Sequence, residues 1–80
     1  MSLEGDLRKE IEKWSARLEE EMKDIRILDE GRAYMLENIR AYMKDSSYFL
    51  TSNDLIRSFE ALIWAWAWLS ILKELKIVKS

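Results

Sequence analysis

The sequence predicts an all-α fold, an up-down-up three-helix bundle with a tight antiparallel hairpin between helices 2 and 3. Three observations carry this. The 80 residues include no proline and only two glycines, so long helices run without breakers. Apolar residues recur at steps of three and four, the period of a helix rather than of a strand. The stretch from Ala61 to Leu72 holds three of the four tryptophans and one polar residue, Ser70. An ordinary surface helix has one apolar stripe and a polar face. This stretch is apolar on every side, with Trp64 and Trp68 on one face and Trp66 pointing nearly the opposite way. The remaining chain reads as its cover, supplemented by a second copy. An 80-residue domain is close to the lower limit for a self-sufficient core, and a dimer is one way to complete the burial.

The first helix is expected over about residues 3–27. Leu7, Ile11, Trp14, Leu18, Met22 and Ile25 form one stripe, and almost everything between them is charged. Glu4–Arg8 and Glu19–Lys23 are i,i+4 pairs in the favourable order, each expected to add a few tenths of a kcal/mol. The outer face reads mainly as solvated surface, with Glu19-Glu20-Glu21 as a conceivable acidic recognition surface. Ile25-Arg26-Ile27-Leu28 has two readings, as the end of this helix or as an extended run into the turn at Asp29-Glu30-Gly31. In that turn, Asp29 is a candidate cap for the next helix and Gly31 a candidate stop for the last.

The second helix is expected over about 31–51, with Met35, Ile39, Tyr42, Ser46 and Phe49 as its stripe. Ser46 is the small member, which suggests close approach of another helix there, with room for a tryptophan from the third. Asp45 lies between Tyr42 and Tyr48 and reads first as a hydrogen-bond acceptor for a Tyr or Trp donor. Thr51-Ser52-Asn53-Asp54 then turns the chain. Asn tolerates the left-handed conformation that ends a helix, and Asp is a preferred N-cap. So tight a turn implies an antiparallel hairpin.

The third helix is expected over about 54–77, with Leu55, Ile56, Phe59, Leu62, Ile63, Trp66, Leu69 and Leu72 facing the core. Lys73, Lys76 and Lys79 cluster at its end, where cations suit the helix dipole. The expected core comprises Trp14, Leu18, Ile39, Tyr42, Phe49, Phe59, Ile63 and Trp66, and either Leu62→Asp or Phe59→Ala should unfold the chain or cost several kcal/mol.

Composition excludes more chemistry than it suggests. With neither Cys nor His, the commonest zinc sites, a cysteine nucleophile and every His-based triad are ruled out. No catalytic, metal or cofactor residues are expected. Gln is missing, Asn occurs twice and charged residues reach 35%, a bias shared with thermophile proteins. The formal net charge of −2 argues against a nucleic-acid-binding domain. Its sites, if any, would involve Arg32, Arg40, Lys44 and Arg57 or the C-terminal lysines. Charges begin at Glu4, unlike a signal peptide, and the apolar run of residues 61–72 is shorter than the roughly twenty residues of a membrane span. A cytoplasmic location and no membrane span are therefore expected.

Ala41-Tyr42-Met43-Lys44-Asp45-Ser46-Ser47-Tyr48-Phe49-Leu50, then Asn53-Asp54, Phe59-Glu60-Ala61 and Trp64 to Leu69, resemble the archaeal domain-of-unknown-function family 357. The resemblance covers residues 41–69 sharply and the first helix only generically. Tyr42, Asp45, Tyr48, Phe49, Asp54, Phe59, Ala61, Ala65, Trp68 and Leu69 fall on family positions. Asn53 stands where the family has Gly, Trp64 for Tyr, Ala67 for Gly and Ser70 for Asp, so a site needing that last carboxylate is in doubt here. The resemblance implies a three-helix bundle and no particular activity. The second and third helices also look like a tetratricopeptide-type hairpin, an analogy of fold alone.

Three functional readings follow. The first is a non-enzymatic protein-interaction or self-association module, expected as a homodimer or with an unknown protein partner. The second is a small-ligand site near Asp45, and the third a nucleic-acid-associated role, disfavoured by charge. The candidate interaction or pocket residues are Tyr42, Asp45, Tyr48, Trp64, Trp66 and Trp68.

Overall fold

The computed structural model describes residues 2–80. Helix α1 spans Leu3–Lys23, a two-residue strand β1 spans Arg26–Ile27, and a 3-10 helix spans Glu30–Met35. Helix α2 follows at Leu36–Thr51, α3 at Leu55–Glu74, and strand β2 at Val78–Lys79. The three helices form a rod of 45 × 17 × 17 Å. Helix α3 is the shared element: α2 packs antiparallel along it, and α1 lies on its other flank.

Each helix start and stop has a local cause. The Ser2 hydroxyl accepts from Gly5 N–H at 3.0 Å and caps α1. Asn53 takes the left-handed conformation at φ 60°, as its position after α2 requires. Around it, Asn53 N–H donates to Leu50 C=O and Asp54 N–H to Phe49 C=O, the paired bonds of a Schellman stop. Asp54 then accepts from Arg57 N–H at 3.2 Å and starts α3. The same stop recurs after α3: Lys76 sits at φ 57°, while its N–H reaches Lys73 C=O and that of Ile77 reaches Leu72 C=O. This second left-handed residue ends α3 at Glu74 and turns the tail back on the bundle.

The tail is structural. Ile77 and Val78 are buried in the core with Ile11, Leu18, Leu36, Ile39, Leu62, Leu69 and Leu72. Ile77 C=O accepts from the N–H groups of Leu28 and Asp29, and β2 pairs antiparallel with β1, placing Arg26 opposite Lys79 and Ile27 opposite Val78. Thus the ambiguous run after α1 is extended, and α1 ends at Lys23 rather than near residue 27. Residues 30–35 form a tighter 3-10 segment, so α2 proper begins at Leu36 rather than 31. Asp29 makes no side-chain cap bond there and instead pairs with Arg32 at 3.0 Å.

Helix α1 runs parallel to α3. Near its start, Arg8 donates to the Asn53 side chain, and near its end Glu21 pairs with Lys73 at 3.5 Å. The expected Glu4–Arg8 and Glu19–Lys23 pairs do not form; Lys23 pairs with Glu20 at 3.3 Å, and Arg8 serves the interhelical bond instead.

The buried face of α3 is one heptad seam: Leu55, Ser58, Leu62, Ala65, Leu69 and Leu72, joined by Ala61. Small residues in that seam let α2 approach closely. Ser46, also buried, meets Ser58 there rather than a tryptophan: its hydroxyl donates to Ser58 C=O at 2.9 Å, and the Ser58 hydroxyl donates to Ser46 C=O at 2.7 Å. Three expected core residues are displaced outward, since Trp14 and Phe59 are each 38% exposed and Ile63 is 49% exposed. Ile56, expected to face inward, is 68% exposed. By length and composition α3 reaches the range of a membrane-crossing helix, beyond the twelve-residue run that the sequence presents. In this fold it is the core helix, and its inner seam is occupied by α1 and α2.

Candidate functional site

The six candidate residues divide among four places. Tyr42 on α2 and Trp64 on α3 stack with ring centroids 6.2 Å apart and planes 19° apart. Asp45, one turn along from Tyr42, shares with them a shallow depression of about 240 Å³, lined also by Phe49, Arg57, Glu60 and Ala61. Tyr48 lies outside this group, mostly exposed and edge-on to Phe49 at 5.6 Å. Trp66 occupies the opposite flank of α3, edge-on to Trp14 of α1 at 6.0 Å and 85°. Trp68 is half-buried against the core. The structure therefore brings together Tyr42, Asp45 and Trp64, and separates Tyr48, Trp66 and Trp68 from them.

The helical period explains the division. Trp64 and Trp66 are two residues apart on α3, about 200° around the axis, so one faces the α2 flank and the other the α1 flank. Each flank supplies an aromatic partner, Tyr42 or Trp14. The Trp14 indole is fixed further: its N–H donates to the Glu10 carboxylate at 3.0 Å, and the Arg17 guanidinium lies 4.6 Å from its ring centroid.

Asp45 is exposed and accepts no hydrogen bond from a Tyr or Trp, contrary to its expected role. Its carboxylate faces solvent at the edge of the Tyr42–Trp64 stack. An aromatic wall beside Asp45 and Glu60 suits a flat or cationic group lying on the surface. Among the described residues no three carboxylates gather as a metal-ligand set. Of the cations considered for nucleic acid, Arg32, Arg40 and Arg57 are each paired with the carboxylate three residues before it, namely Asp29, Glu37 and Asp54.

A larger feature lies on the side of α3 away from its buried seam. Ile56, Phe59, Ile63, Ala67, Ser70 and Ile71 run along this face, with Trp64 at one flank and Trp66 at the other. Ile56, Ile63, Trp64 and Ile71 are 68, 49, 55 and 42% exposed. Between Glu60 and Lys73 the face carries no charge. The signal for it is a second apolar seam, displaced by one residue from Leu55-Ser58-Leu62-Ala65-Leu69-Leu72. Both seams are apolar and both hold small residues, but Ser58, hydrogen-bonded to Ser46, marks the one that α2 approaches.

No curated protein matches the sequence. The fold is similar to the crystal structure of protein AF1782 from Archaeoglobus fulgidus, with 48% identity over 99% of each chain and a TM-score of 0.85. That protein is itself assigned to DUF357. The DUF357 family model, described as a protein of unknown function, matches residues 13–78. The chain is thus a three-helix member of the DUF357 family.

Proposed function

We propose that this protein is a non-enzymatic helical interaction module that pairs with a second copy of itself through the open face of α3. One observation carries the reading, the row of exposed apolar side chains Ile56, Phe59, Ile63, Trp64 and Ile71 on a helix whose opposite seam is already used. Monomeric proteins seldom leave contiguous apolar patches beyond about 300–600 Å² exposed. Large aromatic side chains each present about 150–250 Å² when open. The half-exposed residues of this face, with Trp14 and Trp66 at its edge, together reach several hundred Å², approaching the roughly 800 Å² that each partner contributes to a stable interface.

A second copy fits for two further reasons. A two-fold interface joins the same patch on both subunits, and this face is uncharged along its middle, so no like charges meet there. Ala67 and Ser70 lie between Ile63 and Ile71, and these small residues let two helices approach and interlock their larger neighbours. A cytoplasmic location accords with this use of α3, which leaves one helix face for a protein partner rather than for lipid.

The test is sedimentation equilibrium over a concentration series from low to high micromolar. A monomer–dimer equilibrium is expected for the natural chain, and a monomer with unchanged helical circular dichroism for Ile63→Asp. A natural chain that remains monomeric at high micromolar concentration would refute the reading.

A second reading has its own observation. The Tyr42–Trp64 stack stands beside the free carboxylate of Asp45 and would receive a small cationic or aromatic ligand. Such a ligand should quench tryptophan fluorescence in the natural chain and lose that effect in Asp45→Asn.

A further inference from the structure

Helix α1 rests on α3 and stands off from α2, leaving a cleft of about 260 Å³ between α1 and α2. Its floor is apolar, formed by Leu18, Leu50 and Leu62. Its rim on the α1 side is acidic, with Glu12 and Glu19. From these we infer that the cleft binds a linear aliphatic diamine, its alkyl chain on the leucine floor and its two ammonium groups on the Glu12 and Glu19 carboxylates.

Spacing, charge and shape support this occupant. Glu12 and Glu19 are seven residues apart, two helical turns, so their Cα atoms are separated by about 10 Å along one side of α1. An extended diamine of about eight carbons matches that two-turn span.

Glu20 and Glu21 are paired with Lys23 and Lys73, and Glu10 accepts from Trp14. Among the described residues, Glu12 and Glu19 have no cation within ion-pair distance. Glu4 and Asp6 near the start of α1 are likewise outside any ion pair, but of the acids on this helix only Glu12 and Glu19 border the cleft, where a cation from outside would meet them.

The volume lies just under the range of about 300–1,000 Å³ typical of drug-sized ligands, which favours a slim chain over a ring system. The hydroxyls of Ser15 and Ser47 lie along the same walls and offer acceptors to the ammonium hydrogens. Ser46 also lines the cleft, but its hydroxyl is engaged with Ser58 and adds no unmet demand. The site does not depend on pairing through the open face of α3, because its floor residue Leu62 belongs to the buried seam.

The experiment is an amide-resolved NMR titration of the full chain with 1,8-diaminooctane, repeated with 1-aminooctane and 1,3-diaminopropane. Saturable shifts are expected at Ser15, Leu18, Ser47 and Leu50. Affinity should fall at least tenfold for the monoamine and for the short diamine. Glu12→Gln and Glu19→Gln should each weaken binding about tenfold, while Glu20→Gln, an acid paired on the same helix but outside the cleft, should leave it unchanged. Absence of saturable shifts would overturn the inference. So would shifts spread along the outer acidic face, or equal loss in Glu20→Gln, since either marks general attraction of a polycation.

Discussion

Ser46 and Ser58 join α2 to α3 by reciprocal hydrogen bonds, each hydroxyl donating to the other's backbone carbonyl, with the two oxygens 3.1 Å apart. Both side chains are buried between the two helices of the hairpin. Each hydroxyl thus satisfies a carbonyl that already serves its own helix, and each is small enough to keep the helices close. Ser58→Ala should lower stability by about 1–3 kcal/mol, because it removes one donor and leaves Ser46 with fewer partners in a dry site. Ser58→Val should cost more, since overpacking adds about 1–3 kcal/mol to the lost bonds. Denaturant midpoints at constant m-value would check both, and a double-mutant cycle should give a coupling of about 0.5–3 kcal/mol.

The outward position of Phe59 revises its expected cost. Phe59→Ala should destabilise by less than a full core truncation, which costs about 3–5 kcal/mol for Phe. Ile77, buried in the tail, should behave as a core residue, with Ile77→Ala costing about 2–5 kcal/mol. Leu62→Asp should abolish cooperative unfolding, because it places a charge in the buried seam. Thermal and denaturant melts of the three variants would establish this order.

The two left-handed positions should respond oppositely to two substitutions. A non-glycine residue in that conformation costs roughly 1–2 kcal/mol, less for Asn. Lys76→Gly should therefore stabilise the chain by about 0.5–1 kcal/mol after the entropy of glycine is subtracted. Asn53→Ala should destabilise it by about 1 kcal/mol, through the strained turn and the lost bond from Arg8. Unchanged melting temperatures in both variants would contradict the assignment of these stops.

The Trp66 indole nitrogen is buried with no hydrogen-bond partner among the described residues. An unmet buried donor costs about 1–3 kcal/mol. Trp66→Phe removes that donor while retaining a ring against Trp14, so it should be neutral or stabilising despite its smaller volume. A loss of more than about 2 kcal/mol would show that the indole's packing outweighs its unmet N–H.

The sequence by itself determined the three helices, the hairpin turn and the closeness of its two arms. These are local matters. The period of Leu7, Ile11, Leu18 and Met22, the left-handed tolerance of Asn53, the capping oxygen of Asp54 and the small size of Ser46 each act within a few residues. The candidate site was legible only in part: Tyr42 and Asp45 lie three residues apart on one helix and stay together, whereas the fate of the tryptophans depends on neighbours. Only the tertiary structure decided which of α3's two apolar seams is inside. Periodicity reports that a face is apolar but not whether another helix covers it. The leucine seam carries Ser58, which exchanges hydrogen bonds with Ser46 of α2, so the isoleucine seam is left outside with Phe59. The β1–β2 ladder was decided the same way. Its two-residue strands have almost no local preference, and they pair because parallel packing of α1 on α3 brings the ends of both helices to the same end of the rod.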